Sequence, residues 1–226
     1  MRTQETHDLK GKFFDYMDDK EALEEEDAIA STLLQSGPLF HDISFPANGV
    51  SLYRTPQQPP RGAMPPALVR WGRVCHLEIR GCYSPVTFPK EGLPLCGISQ
   101  GALGNIWLVS AFNILISSPH TLRHVIVSER HKDKGLFTLK LFKEGQWRYM
   151  HLDDCFPCSY AGMLHYFTNK KSRQPPPSPS PPSKIWGPLI EKAFAKLYGC
   201  YESLGRRSIE EGLRCITGVL LLRMNL

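Results

Sequence analysis

No stretch of this 226-residue chain approaches the roughly 20 consecutive apolar residues that span a bilayer, and the opening Met1-Arg-Thr-Gln-Glu-Thr-His-Asp8 lacks the apolar core of a secretory signal. A cytoplasmic protein is therefore expected, with no membrane partner. Runs of lysine and arginine interleaved with aromatics are also missing. The 27 basic residues are scattered among 22 acidic ones for a net charge of +5, so nucleic acid is not an expected partner. No internal repeat is evident. Cysteine is not scarce: Cys75, Cys82, Cys96, Cys155, Cys158, Cys200 and Cys215 form an odd set spread along the chain, which suits reduced intracellular thiols better than a disulfide framework. With 42% hydrophobic and 22% charged residues, the chain can bury the core of one large domain or two small ones.

Periodicity places the first element from Asp19 to Gln35, where Leu23, Ala28, Ile29 and Leu33 recur near helical spacing and Gly37-Pro38 supplies a stop. Its acidic cluster, Glu21, Glu24, Glu25, Glu26 and Asp27, reads as a solvated face. From Leu39 to Gln100, proline and glycine predict irregular chain wrapped over a domain, with short apolar runs such as Ala67-Leu-Val-Arg-Trp71. The nearly continuous apolar stretch Asn105 to Ile116 predicts a core helix, with Asn105 able to cap its free N–H groups. A second helix is expected from Thr121 to Glu129. Alternation then predicts a hairpin of Leu136 to Phe142 and Trp147 to Leu152, joined through Lys143-Glu-Gly-Gln146. A helix follows from Trp186 to Tyr198, with Trp186, Leu189, Ile190, Ala193, Phe194 and Leu197 on one face, and Ser208 with Glu211 forms a capping box over a short helix to Cys215. Residues 174–183, Gln-Pro-Pro-Pro-Ser-Pro-Ser-Pro-Pro-Ser, cannot form ladder hydrogen bonds and predict an extended polyproline loop, either an SH3 or WW ligand or a plain surface insertion.

Several ordered stretches together resemble the calpain family of intracellular, calcium-regulated cysteine proteases. Gln100-Gly-Ala-Leu-Gly-Asn-Ile-Trp107 is similar to the family's Gln-Gly-x-x-Gly-(Asp/Asn)-Cys-Trp signature, with isoleucine in place of the nucleophile. Gly135 to Trp147 with Asp153-Asp154 resembles the family's hairpin. Trp186, Leu189 to Leu204 and Thr217-Gly218 complete the series, which runs from Leu39 to about Gly218. The resemblance implies an α+β, papain-like first protease subdomain, with a central buried helix, further helices and a small antiparallel hairpin. It divides the chain into an N-terminal helical extension, 1–38, and a calpain-like first half, 39–226, carrying the proline-rich insertion.

What the resemblance implies about chemistry is mostly loss. In papain-like folds a thiolate sits at the N-terminus of a buried helix, whose partial positive charge lowers its pKa, while an upstream donor stabilises the oxyanion. Gln100 matches that donor and Trp107 matches the aromatic that lines the cleft. Ile106 has no ionisable atom, so no base can activate it. The family's His and Asn belong to a second subdomain, and this chain ends at Leu226, eight residues after Gly218, so that subdomain is expected to be absent. His120, His124, His131, His151 and His165 fall in the wrong part of the motif order and read as surface or strand histidines.

The family's calcium site also uses two carboxylates, at positions matched here by Gly97 and Lys184. Without those anionic ligands, and with an ammonium in their place, no calcium cofactor is expected at this subdomain. Paired glycines that let substrate backbone approach are matched by Arg206 and Arg207, long side chains expected to crowd the groove.

The sum predicts a non-catalytic, protein-binding or regulatory pseudoprotease. Two alternatives stay open. One is an active fragment whose missing groups come from another chain. The other is a small zinc or thiol-redox protein built on His151, Cys155 and Cys158, whose spacing resembles a metal or redox motif but lacks an adjacent fourth ligand.

Overall fold

A computed structural model describes residues 18–36, 39–73, 83–84, 98–100, 104–115, 118–158, 167–169 and 183–219. In chain order the elements are α1 (Asp19–Ser36), α2 (Gly49–Leu52), β1 (Arg70–Arg73), β2 (Tyr83–Ser84), β3 (Ile98–Gln100), α3 (Ile106–Leu115), α4 (Pro119–His124), β4 (Ile126–Ser128), β5 (Leu136–Lys143) and β6 (Gln146–Asp153). They continue with β7 (Cys155–Cys158), β8 (Phe167–Asn169), β9 (Ser183–Lys184), α5 (Trp186–Leu197) and α6 (Ile209–Thr217). This is a mixed helix and sheet architecture with small sheets. The strands β4, β5 and β6 form one antiparallel sheet, and β1 with β7, β2 with β9, and β3 with β8 form two-stranded ribbons. Proline and glycine in the 39–100 region leave its described parts with short elements only, as expected.

The hairpin turn is tighter than the four-residue connection expected. Pairing runs from Leu136 opposite Asp153 to Lys143 opposite Gln146, leaving Glu144 and Gly145 at the tip with φ of 54° and 86°. Both residues sit in the left-handed region, the turn geometry whose twist matches paired strands, and glycine tolerates it without strain. The expected helix from Thr121 to Glu129 is also corrected. It stops at His124, and Ile126–Ser128 pairs with β5 instead. Ile126 and Val127 are β-branched, which lowers helix propensity and suits a pleated surface.

Helix α5 is the centre of the fold and is buried at every position, not on one face. Its charged residues are admitted because each finds partners inside. Lys192 pairs with the Asp153 carboxylate and donates to the carbonyls of Asp153 at 3.0 Å and Cys155 at 2.7 Å. Lys196 donates to Asp42 Oδ2 and to the His151 carbonyl, each at 2.8 Å. Asp42 N in turn donates to Asp153 Oδ2 at 2.8 Å, so α5, the hairpin and the segment around Asp42 share one ionic network. Burial pushes the Asp153 carboxyl upward, but Lys192 and the backbone donors outweigh it and hold the group below its ordinary value.

Helix α1 packs on this sheet through a residue expected to be solvated. Glu26 is fully buried, accepting from Ser128 Oγ at 2.9 Å and Thr138 Oγ1 at 2.8 Å. Thr138 Oγ1 also lies 2.8 Å from His151 Nδ1. Around this point Asp19 meets Lys140 and Tyr149, each at 2.6 Å, and Asp27 meets His131 at 2.8 Å. Most of the acidic cluster does face solvent, but Glu26 falls on the same helical face as the buried Ala22 and Ala30, which turns it inward. No described helix is long and apolar enough to cross a membrane.

Candidate functional site

The site is built where α3 begins. Ile106 is its first residue and is 59% exposed, whereas Trp107 beside it is 2% exposed. Trp107 is pinned from two directions. Its Nε1 donates to the Leu204 carbonyl at 2.6 Å, and its ring meets Phe194 of α5 edge-on with centroids 5.8 Å apart. Helix α6 closes on the same surface through Gly212, where an added Cβ would lie 3.0 Å from Ala111 Cβ and 3.1 Å from the Trp107 ring. These contacts hold the start of α3 rigidly while its first side chain points outward.

Asn105 was expected to cap α3, and its side chain does something else. Its carbonyl accepts from Leu108 N at 3.0 Å and Val109 N at 3.3 Å, but its amide is buried and Nδ2 donates to Glu191 Oε1 at 2.6 Å. Burial pushes the Glu191 carboxyl up to about 8, with the Asn105 hydrogen bond pulling the other way, so Glu191 is neutral at pH 7. Asn105 Oδ1 has no partner. A neutral Glu191 has one O–H to donate, and Asn105 carries the spare acceptor, so the two groups are chemically matched. Sequence reasoning missed Glu191. The available signal was an acid beside Ile190 on an otherwise apolar face.

Gln100 ends β3 opposite Phe167 of β8, and β3 lies against α3; its side chain is outside the described residues. Gly97 lies outside them too, as do residues 174–182 of the proline-rich segment. Lys184 pairs with Ser84 in the parallel β2–β9 ribbon, its side chain likewise undescribed. Arg206 is exposed with φ of 46°, a backbone conformation that favours glycine. Arg207 folds back onto the protein: its guanidinium lies 3.7 Å from the Tyr198 ring centroid, Nε donates to the Ser203 carbonyl at 3.1 Å, and Nη1 pairs with Glu211 at 3.1 Å. Ser208 Oγ caps α6 by accepting from Glu211 N at 3.2 Å, while the Glu211 side chain serves Arg207 and Tyr198 rather than the cap.

His151, Cys155 and Cys158 are all buried. Burial lowers His151 to about 4, helped by Lys196, so the ring is neutral, and its Nδ1 is committed to Thr138. Burial raises both thiols to about 11, the opposite of what a metal-binding or redox-active thiolate needs. Cys155 and Cys158 lie three residues apart on one strand, so their side chains leave opposite faces. Among the described residues, no three His, Cys, Asp or Glu side chains are grouped to hold a metal. His124 stacks edge-on against Trp147 at 5.4 Å and His131 bonds Asp27, so both are engaged away from α3.

The profile of a family described as calpain family cysteine protease matches residues 40–226. Individual relatives agree with it. The calpain-2 catalytic subunit of Gallus gallus is 32% identical over 195 residues, covering 84% of this chain and 25% of that protein. Calpain-12 of Homo sapiens is 31% identical over 210 residues, covering 88% of this chain and 26% of the relative. The calpain-type cysteine protease DEK1 of Zea mays is 28% identical over 196 residues, which are 85% of this chain and 8% of the relative. The chain thus spans between 8% and 26% of the length of these proteins.

Proposed function

We propose, from the premise that this chain belongs to the calpain family of cysteine proteases, that it is a pseudoprotease: a first protease-core subdomain retaining the scaffold of the family's active site without its nucleophile. One observation carries this reading. The position that the signature assigns to the nucleophile is the exposed first residue of α3, where backbone N–H groups and the helix dipole favour an anion, and it holds the hydrocarbon of Ile106. Gln100 stands at the oxyanion-donor position, inert without an attacking atom, while Trp107, matched to the family's cleft aromatic, is 2% exposed and serves here as a core anchor for the helix start.

Calcium dependence is lost at this subdomain on the same reading. The donor set does not fit a hard cation, because Gly97 offers no side-chain oxygen and Lys184 brings a positive charge. Arg206 and Arg207 replace the family's paired glycines, and the left-handed backbone at Arg206 supports that assignment. The role left for the chain is to bind a protein or peptide, in the cytoplasm, with residues 174–183 as a segment suited to SH3 or WW grooves.

Incubation with fluorescent casein and calcium tests the first part. The purified chain should release no more fluorescence than a protein-free blank, and turnover by it would end the pseudoprotease reading. Retention of partners by the full chain, compared with a deletion of 174–183, tests the second. Retention of the same partner by both forms would remove the proline-rich segment from the account.

A further inference from the structure

A cavity of about 380 Å³ lies at the corner where α5 ends and α6 begins, lined by Val50, Arg54, Tyr198, Gly199, Cys200, Ser203 and Arg207. Two guanidiniums converge on it, and both are anchored to one residue. Arg54 Nε donates to Ser203 Oγ at 3.2 Å, and Arg207 Nε donates to the Ser203 carbonyl at 3.1 Å. Ser203 is itself buried, with Cys200 Sγ 3.2 Å from its hydroxyl, so the anchor is rigid. Arg207 is further fixed by Tyr198 and Glu211.

The balance of charge around this cavity is positive. Lys143 Nζ lies 4.2 Å from the Tyr198 ring centroid, so that ring attracts two cations. Of the nearby carboxylates, Glu211 is taken by Arg207 and the Tyr198 hydroxyl, and Glu202 accepts from the Arg54 backbone N–H at 2.8 Å. Among the described residues, no carboxylate forms an ion pair with the Arg54 guanidinium, whose two terminal amino groups are left to donate. Arg207 has Nε and Nη1 engaged by Ser203 and Glu211, which leaves Nη2 beside the two terminal amino groups of Arg54, and such guanidinium donors match the oxygens of a phosphoryl group.

We propose that this cavity binds a phosphate monoester, with the terminal amino groups of Arg54 as its fork and Arg207 Nη2 as a further donor. A hydroxyl-linked phosphate on a peptide side chain and free inorganic phosphate offer the same oxygens, so both are probes. The site does not depend on the identity of position 106, and its failure would leave the pseudoprotease reading untouched.

Calorimetric titration of the full chain with inorganic phosphate, with a phosphoserine peptide and with its unphosphorylated counterpart, all at constant ionic strength in chloride, is the test. The phosphorylated probes should bind and the unphosphorylated peptide should not, and the tighter of the two identifies the source. Arg54→Gln, at an exposed residue, should weaken that binding about tenfold, as expected for loss of a charge-assisted hydrogen bond. Arg207→Lys, which keeps the charge but loses the Nη2 donor, should weaken it as well. Arg123→Gln, on the exposed side of α4, should leave it unchanged. Absence of phosphate-dependent binding, or equal affinity in Arg54→Gln and the parent chain, overturns the proposal.

Discussion

Two helices of this molecule meet at Trp107 and Phe194 yet treat charge in opposite ways. Helix α5 takes two lysines and a glutamate into the interior and satisfies each one, whereas α3 presents its first residue to solvent and places an uncharged hydrocarbon there. Burial makes the first arrangement hard to change, because removing one partner strands another. Exposure makes the second easy to change. On the pseudoprotease reading proposed above, a scaffold of this kind would keep its shape whichever residue stands at that exposed position, and that contrast can be tested from either side.

The largest effect is expected in the α5 network. Asp153→Ala leaves Lys192 buried with its counter-charge gone and the N–H groups of Asp42 and Cys155 without their acceptor, so urea unfolding should show a loss of about 3–5 kcal/mol. A loss below 1 kcal/mol would mean the network is not the anchor described. Next is the seam between α3 and α6. Gly212→Val drives methyl groups into Ala111 and the Trp107 ring and should cost about 1–3 kcal/mol, with Trp107 fluorescence reporting the disturbance.

A smaller effect, dependent on pH, belongs to Glu191. Its folded value of about 8 lies above the ordinary carboxylate range, so between that range and pH 8 the unfolded chain has released this proton while the folded chain keeps it. Stability from this group therefore falls as pH rises through the window and levels off above it. Glu191→Gln keeps an acceptor for Asn105 without the ionisation, so its stability relative to the parent should climb from about pH 5 to pH 8. A flat difference would place the Glu191 carboxyl in a wetter setting than the structure gives it. The smallest effect is at the exposed end: Ile106→Ser should change unfolding stability by about 0.5 kcal/mol or less.

The sequence was most informative where periodicity and burial agree. Alternation located the hairpin because Leu139, Leu141, Met150 and Leu152 are buried together, and the run from Asn105 located α3. It was least informative for charges. Glu26 sits in an acidic run, and nothing local distinguishes it from its solvated neighbours; the partners that draw it inside, Ser128 and Thr138, are over 100 residues away. Lys192 and Lys196 fall outside the apolar face read for α5, and their burial was hidden for the same reason, since Asp153 and Asp42 reach them only through the fold. The signature named Gln100, Ile106 and Trp107, and the structure places the last two at the start of α3. The Asn105–Glu191 contact was not legible, because it joins two helices far apart in the chain.

The most direct measurement of the claim that α3 presents a nucleophile's position without a nucleophile is the pH dependence of iodoacetamide alkylation at residue 106 in Ile106→Cys, read from the mass of the peptide that carries it. A thiol placed there should titrate below the ordinary cysteine value of about 8.5, because the helix N-terminus favours the thiolate. A midpoint at or above that value would contradict the account.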